Sequence, residues 1–199
     1  LQSIKDYDEY TFQHSVNVCV LSVALAETIT SSRPVLIDLG RAALLHDVGK
    51  ILIPIEILNR PGHLVGSDWN EMKTHPARGA RVLVETEGLG PLSLLVAYGH
   101  HLRFDRTGYP GLLRPLPPNP FTQIVAIADV YDSLISARSY KSGEETFDVM
   151  AFMLRRAGRD FDPVLLRQFA QMMGVYPAGS FVLLDTGEVA IVTRMNPEN

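Results

Sequence analysis

An apolar run that leads directly into ionisable side chains constrains the fold of this chain more than any other stretch. Ala42 to Leu45 are apolar, and His46, Asp47 and Lys50 come next. Burying an imidazole, a carboxylate and an ammonium group is costly unless a partner compensates, and a divalent metal is one such partner. The stretch therefore predicts a buried helix whose end faces a polar functional site.

Helical geometry gives these side chains different directions. Neighbouring residues on a helix diverge by about 100°, so His46 and Asp47 can face two different ions, or Asp47 can lie between two ions. Lys50 is expected on the same side as both, and Gly49 gives the helix a place to end. The alternative is a His–Asp hydrogen bond at a helix end beside a solvated lysine, and the other histidines must decide between the two.

Composition excludes several classes of protein. The chain has 199 residues, of which 46% are hydrophobic and 20% charged, which is typical of one globular domain with a core. Its net charge of -4 argues against binding a nucleic-acid polymer, because such binding needs a cationic surface. The single cysteine, Cys19, excludes a disulfide framework and fits a reducing compartment. With no signal peptide and no apolar run long enough to span a bilayer, the expected location is the cytoplasm.

The first residue of the chain is Leu1 rather than methionine, so we expect an upstream regulatory domain in the full-length protein.

Hydrophobic periodicity predicts an all-α fold. Between the helices, the Pro- and Gly-rich residues 103–119 predict an ordered loop or lid. Ser67 is the expected N-cap of the fourth helix. Residues 181–193 have the pattern of a small C-terminal β-hairpin. The predicted helices span residues 11–29, 36–45, 55–58, 68–75, 77–85, 92–101, 121–136, 144–156 and 163–173.

Polar residues at inward-facing or helix-terminal positions suggest one common site. Each has an ordinary explanation alone: His14 as a satisfied core histidine, the pair at His100 as a surface pair. Asp129, however, lies inside an apolar helix, where an unpaired carboxylate costs several kcal/mol. Together the set suits two metal ions that share a carboxylate inside a helical bundle. The set is His14, His46, Asp47, His75, His100, His101 and Asp129.

The order of these motifs resembles the HD-GYP branch of the HD phosphohydrolase superfamily. The resemblance covers about residues 8–163 and rests on His14, HDVGK at 46–50, HP at 75–76, HH at 100–101, GYP at 108–110 and AIADVYD at 126–132. It implies an HD-domain helical bundle. Because the hairpin contains no candidate ligand cluster, the expected division is an HD-GYP catalytic domain over residues 1–173 and a β-hairpin appendage over 174–199. The resemblance also implies a metal-dependent phosphodiesterase that hydrolyses cyclic di-GMP to pGpG, and in some members to GMP, with a binuclear metal centre and a bridging hydroxide.

The resemblance also assigns roles to residues. It makes the seven residues of the set metal ligands, with Asp47 as the bridge, and makes His46, Asp47 and Lys50 catalytic. Members with three metals carry a glutamate four residues before the first histidine; Tyr10 stands there in this chain, so two divalent ions are expected. Iron or manganese is preferred, and nickel or zinc also suits such ligands. The substrate contacts implied are Lys50, Arg138 and Lys141 for phosphate, and Arg103, Arg106, Gly108, Tyr109 and Pro110 for the entrance.

Four departures from the family pattern keep other functions open. Leu102, Arg106, Gln123 and Ser139 stand where the family usually has glutamate, glycine, arginine and proline. Arg106 could stack on a guanine base or pair with a phosphate. One alternative is a catalytically weak domain that senses the nucleotide or docks a diguanylate cyclase domain through the GYP loop. Another is a hydrolase for a different cyclic dinucleotide, such as cyclic GMP-AMP.

Overall fold

The structure, a computed structural model, describes residues 9–111, 118–136, 145–174, 181–184, 186–191 and 193. Within these residues the predicted all-α fold with a small C-terminal hairpin is confirmed. The helices are α1 Glu9–Glu27, α2 Arg33–Leu44, a 3₁₀ helix Val48–Leu52, α3 Ile55–Leu58, α4 Gly66–Met72, α5 His75–Val84, α6 Pro91–Gly99, α7 Pro120–Ser136, α8 Glu145–Leu154 and α9 Pro163–Met173. The antiparallel strands β1 Phe181–Leu183 and β2 Val189–Ile191 form the hairpin.

Prolines mark the first turn of five helices. Pro34, Pro76, Pro91, Pro120 and Pro163 all lie there, where the missing N–H would have no helical partner in any case. The start of α9 is also capped, because the Asp162 carboxylate accepts hydrogen bonds from the backbone amides of Val164 and Leu165. A proline-rich chain can therefore be almost entirely helical.

The interior consists of two apolar clusters. The larger one joins α1, α2, α7, α8 and α9, with Leu25, Leu39, Ile127 and Phe169 fully buried. Burying one such side chain stabilises the fold by about 2 kcal/mol. The smaller cluster, around Leu83, joins the 3₁₀ helix, α5 and α6. The candidate ligands come from elements of both clusters.

Two glycines allow the 3₁₀ helix to contact α5 directly. A Cβ atom on Gly49 would lie 2.0 Å from the carbonyl oxygen of His75 and 2.6 Å from the backbone nitrogen of Gly79. A Cβ on Gly79 would in turn lie 3.0 Å from the nitrogen of Gly49. This close approach holds the segment that carries Asp47 against the helix that begins with His75.

Most predicted helix boundaries differ from the observed ones by one to three residues, and two of these differences change the position of a residue named above. The α2 helix ends at Leu44, so His46 and Asp47 lie in the turn before the 3₁₀ helix and not on the helix itself. His46, Asp47 and Lys50 are ionisable, and Gly49 packs directly against α5. Both features favour a turn at this point over an extension of α2. Val65, not Ser67, is the N-cap residue of α4. His75 does lie at the predicted break, as the first residue of α5.

Several predictions lie outside the described residues: Arg138, Ser139 and Lys141, and part of the loop after Gly111. The side chain of Tyr10 also lies outside them, so the two-metal count stays a prediction. The division at residues 173 and 174 is likewise an expectation. Within the part of the chain that the structure describes, no helix combines the length and the hydropathy of a transmembrane span.

The glycine contact gives a stability prediction. We expect Gly49→Ala to lower the free energy of unfolding by roughly 2 kcal/mol, because the added methyl group must push α5 away. Gly90→Ala is the matched control, since a Cβ there meets nothing within 4 Å. Urea denaturation followed by circular dichroism measures both. Equal midpoints for the two variants would contradict the packing argument.

Candidate metal centre

Two groups of possible ligands lie next to each other in the interior. The first contains Asp47, His75, His100 and His101, from the turn after α2, the start of α5 and the end of α6. Within each group, one ligand atom per residue lies within 4.8 Å of all the others. The second contains His14 from α1, His46 from the turn and Asp129 from α7.

Asp47 faces both groups. Its Oδ1 atom lies 3.2 Å from His75 Nε2 and 3.7 Å from His100 Nε2. Its Oδ2 atom lies 3.2 Å from His46 Nε2 and 3.9 Å from His14 Nε2. One carboxylate oxygen is thus available to each group, as a bridging ligand would require.

Backbone carbonyls orient three of the histidines. The Nδ1 atom of His46 lies 2.7 Å from Ala43 O, and that of His75 lies 2.8 Å from Met72 O. His100 Nδ1 lies 3.1 Å from the carbonyl oxygens of both Val96 and Ala97. A carbonyl oxygen can only accept, so Nδ1 carries the proton in each ring. The Nε2 atoms therefore point inward, and in the neutral rings each carries a lone pair.

The histidine Nε2 atoms and the Asp47 oxygen that face the interior of the site are suited to bind a cation. His46 Nε2 and Asp47 Oδ1 are buried and make no hydrogen bond with any described residue. His75 Nε2 and His100 Nε2 face each other at 3.3 Å, although each has a lone pair there if its ring is neutral. Two lone pairs repel, and a buried unsatisfied polar atom costs free energy. A metal ion between these atoms would remove both penalties.

Asp132 is a functional candidate that the sequence analysis did not place in the site. Its Oδ2 atom accepts a hydrogen bond from His14 Nδ1 at 2.7 Å, and its Oδ1 atom accepts one from Asn17 Nδ2 at 2.9 Å. His14 Nε2 then lies 3.0 Å from Asp129 Oδ1. The spacing could have revealed this, because His14 and Asn17 on α1 and Asp129 and Asp132 on α7 are both i,i+3 pairs.

The electrostatics of the carboxylates favour their ionised forms. Burial alone would raise the pKa of Asp47, but electrostatic interaction with Lys50 and His46 holds it well below its usual range. Burial opposes ionisation of Asp129 as well, and its hydrogen bond with His14 lowers the pKa well below the usual range. Both candidate ligands are therefore anionic at neutral pH.

The pKa values of the candidate histidine ligands shift in opposite directions. Burial lowers the pKa of His14, but hydrogen bonds to Asp129 and Asp132 outweigh it and raise the pKa to about 9. Burial lowers the pKa of His100, and burial together with His100 lowers that of His101 well below its usual range. His100 and His101 therefore offer neutral nitrogen atoms, whereas His14 holds a proton that a metal ion would have to displace.

Lys50 lies at the edge of the site. Its Nζ atom donates a hydrogen bond to Asp47 Oδ2 at 2.6 Å, and its side chain lines a cavity of about 520 Å³. His75, His101 and Asp129 line the same cavity, so the candidate ligands are reached from it. Trp69, which the sequence analysis did not single out, also lines it.

The GYP segment closes on the end of α6. A Cβ on Gly108, whose φ is +101°, would lie 2.2 Å from His101 O, so only glycine fits. Tyr109 follows with its ring centroid 4.6 Å from that of His101, and it lines the cavity. Pro110 joins Tyr109 through a cis peptide bond. The motif thus places an aromatic ring beside the candidate ligands.

Two of the departures from the family pattern have structural consequences. The buried side chain of Gln123 donates a hydrogen bond to Leu102 O at 3.1 Å and accepts one from the backbone nitrogen of Asp162 at 3.2 Å. These two bonds join the loop that follows α6 to the start of α9. Arg106 is exposed and has a φ of +71°, a region that glycine favours. Its side chain lines neither the cavity at Lys50 nor the one that Arg103 lines. A substrate contact of Arg106 stays a prediction.

Comparison with curated proteins reveals two kinds of relative. Cyclic di-GMP phosphodiesterase PA4108 of Pseudomonas aeruginosa is 38% identical over 98% of this chain. 3'3'-cGAMP-specific phosphodiesterase 3 of Vibrio cholerae is 31% identical over 84% of it. The chain spans 47% of the first protein and 36% of the second. The similarity therefore concerns about half of these relatives or less.

The fold agrees with a solved structure. The HD domain of the L. monocytogenes phosphodiesterase PgpH, in complex with cyclic di-AMP, superposes with a TM-score of 0.66 at 19% identity, over 88% of this chain and 96% of that domain. A sequence model described as HD domain matches residues 2–165, which include all seven candidate ligands and Lys50. The chain therefore belongs to the HD domain family.

Proposed function

We propose that this chain is a metal-dependent phosphodiesterase unit that hydrolyses cyclic di-GMP to pGpG. The observation that carries the proposal is a buried carboxylate, Asp47, with one oxygen facing each of two ligand groups. Lys50 beside it and the cavity at its edge provide for an anionic substrate. The similarity to a phosphodiesterase of this specificity supports the choice of substrate.

The residues divide between two divalent ions. His14, His46 and Asp129 would hold one, while His75, His100 and His101 would hold the other, with Asp47 shared. Mixed imidazole and carboxylate ligands suit iron or manganese, and also nickel or zinc. When bound, such a pair supplies a water of lowered pKa for attack on phosphorus and offsets the charge on the phosphoryl oxygens.

The chain's own residues position the substrate and the ligands. The Lys50 ammonium lines the cavity and would pair with a non-bridging phosphate oxygen. Asp132 keeps the proton on His14 Nδ1, so that Nε2 stays directed at the site. Arg138 and Lys141 remain proposed phosphate contacts outside the described residues. The proposed location is the cytoplasm. The proposed partners are an upstream regulatory domain and a diguanylate cyclase domain that binds the GYP loop.

Two alternatives have specific support. The similarity to a 3'3'-cGAMP-specific enzyme favours a hydrolase for another cyclic dinucleotide. Arg106, a non-glycine residue in a left-handed conformation within the GYP loop, favours a domain with weakened catalysis that acts as a sensor.

Anaerobic reconstitution tests the function. With ferrous or manganous ion we expect two metals per chain by elemental analysis and release of pGpG from cyclic di-GMP by chromatography. The double change His46→Ala with Asp47→Ala removes a ligand from one group and the shared carboxylate, so both metal content and turnover should be lost. Cyclic GMP-AMP and cyclic di-AMP in parallel reactions identify the preferred substrate.

Two outcomes would overturn the proposal. Two bound metals without turnover of any cyclic dinucleotide would favour a sensor. Turnover that survives the double change would exclude the metal mechanism.

Lys50 gives a separate prediction. Lys50→Ala should lower kcat/KM for cyclic di-GMP by roughly 100-fold, the order seen when one charge-stabilising donor is removed. Metal content should stay at the wild-type value, because the ammonium is not a ligand. Lys73→Ala is the control and should change kcat/KM little, because Lys73 directly follows α4 and lines neither the cavity at Lys50 nor the one that Arg103 lines. Loss of metal from the Lys50 variant would assign it a structural role instead.

Metal affinity should depend on pH. In the metal-free protein the pKa of His14 is raised to about 9, so below that value the ion must displace a proton. Between pH 7 and 8 the Mn²⁺ affinity of the site formed by His14, His46 and Asp129 should rise by up to roughly tenfold. Competition with a chelator measures this affinity.

In Asp132→Asn the pKa of His14 falls, so the rise in Mn²⁺ affinity between pH 7 and 8 should be smaller. An equal rise in the wild-type protein and the variant would contradict the argument.

A further inference from the structure

A second cavity lies beside the GYP segment and is lined by Gly108 and Tyr109. It has a volume of about 370 Å³, within the range of small-molecule sites. His101, Tyr109, Val130 and Leu134 line both this cavity and the one that contains Lys50. A ligand with its phosphate at the candidate metal centre therefore has this cavity directly beside it.

The walls of the second cavity suit a flat ring. Phe152, Phe161, Leu134 and Val130 provide aromatic and aliphatic surface. The guanidinium carbon of Arg156 lies 4.1 Å from the ring centroid of Phe152, so the aromatic ring holds the arginine in place. Aromatic rings and guanidinium planes are the surfaces on which nucleobases stack.

The polar part of the cavity is an arginine cluster around one carboxylate. Arg159 binds Asp160 through two hydrogen bonds of 2.9 and 3.1 Å. Arg103 and Arg156 lie farther from Asp160, with Nε–oxygen separations of 3.5 and 3.7 Å. Among the described lining residues, three arginines thus face one carboxylate, and Arg159 occupies both of its oxygens.

Backbone contacts fix this cluster next to the GYP segment. The amide of Phe104 donates to Asp160 O at 3.2 Å, and that of Asp105 donates to Arg159 O at 2.9 Å. The cluster is therefore anchored to the same loop that carries Tyr109.

We propose that the second cavity binds one guanine base of the cyclic dinucleotide and that Arg156 recognises its O6 and N7 atoms. This inference rests on the proposed function, which places the phosphate to be cleaved at the candidate metal centre. Guanine presents two adjacent acceptors, O6 and N7, which match the two donors of a guanidinium fork. Adenine presents an acceptor and an amino donor at the same edge, and that donor meets a second donor on Arg156.

A phosphate fits this cavity less well than a base. Three arginines outnumber Asp160, so charge alone would admit a phosphate, but the apolar walls would be left against a strongly hydrated anion. Guanine uses both parts of the cavity, since its ring contacts the apolar wall and its edge contacts the arginine.

Calorimetry tests the inference. It measures how tightly the reconstituted full chain binds hydrolysis-resistant phosphorothioate analogues of cyclic di-GMP and of cyclic di-AMP. The wild-type protein should bind the guanine analogue more tightly. Arg156→Ala should weaken that binding by about tenfold, the order of one bidentate base contact, and change binding of the adenine analogue by less than about twofold. Arg155→Ala is the matched control, because Arg155 is the exposed neighbour on the same segment and lines neither cavity.

Arg156→Lys separates recognition from charge. Lysine keeps the positive charge and loses the planar fork, so the guanine preference should disappear as in Arg156→Ala. A lysine variant with the wild-type preference would overturn the inference. Three further results would also overturn it. Arg156→Ala could weaken binding of both analogues equally, or Arg155→Ala could have the same effect as Arg156→Ala. The wild-type protein could also bind both analogues equally or bind neither.

The proposed function and the inference fail differently. Turnover without an Arg156-dependent preference refutes the guanine site alone. An Arg156-dependent preference without turnover refutes the hydrolase alone.

Discussion

The ionised carboxylate of Asp47 is the constraint on which the arrangement of the interior depends. It is almost fully buried, and burial of a lone charge would be prohibitive. Lys50 offsets it from the cavity side, and histidines surround both of its oxygens. The elements that carry those histidines must therefore meet at one point, which explains why five segments far apart in the chain converge there.

Helix ends position most of the imidazoles. His46, His75 and His100 each follow the last residues of a helix and donate Nδ1–H to a carbonyl of its final turn. Ala43 O and Val96 O also accept a backbone N–H, from His46 at 3.4 Å and from His100 at 3.0 Å. The ring hydrogen bond is therefore an additional contact at the helix terminus, and it fixes the direction of Nε2. His14 differs, because it lies within α1 and obtains its direction from Asp132 on a separate helix.

Close backbone contacts give the site its shape. Gly49 against His75 fixes the separation of Asp47 from the start of α5, and Gly108 against His101 brings Tyr109 to the cavity. In both places a side chain would displace a candidate ligand. The GYP glycine and the glycine of HDVGK thus have the same physical role, which is to let backbone contact backbone beside the site.

The sequence by itself determined the all-α fold, the helix positions to within a few residues, the set of candidate ligands and the family. Periodicity and proline placement act locally, and a charged residue inside an apolar helix, such as Asp129, is visible without a structure. The sequence did not determine the end of α2, the role of Asp132, the carbonyl partners of the histidines or the cavity at Arg156. These depend on distant contacts: Asp132 meets a residue 118 positions earlier in the chain, and Arg156 lines a cavity with residues of α7, of the GYP loop and of the segment that directly follows α6. Only the tertiary structure sets which distant side chains share one dielectric environment, and that environment decides which charges are compensated.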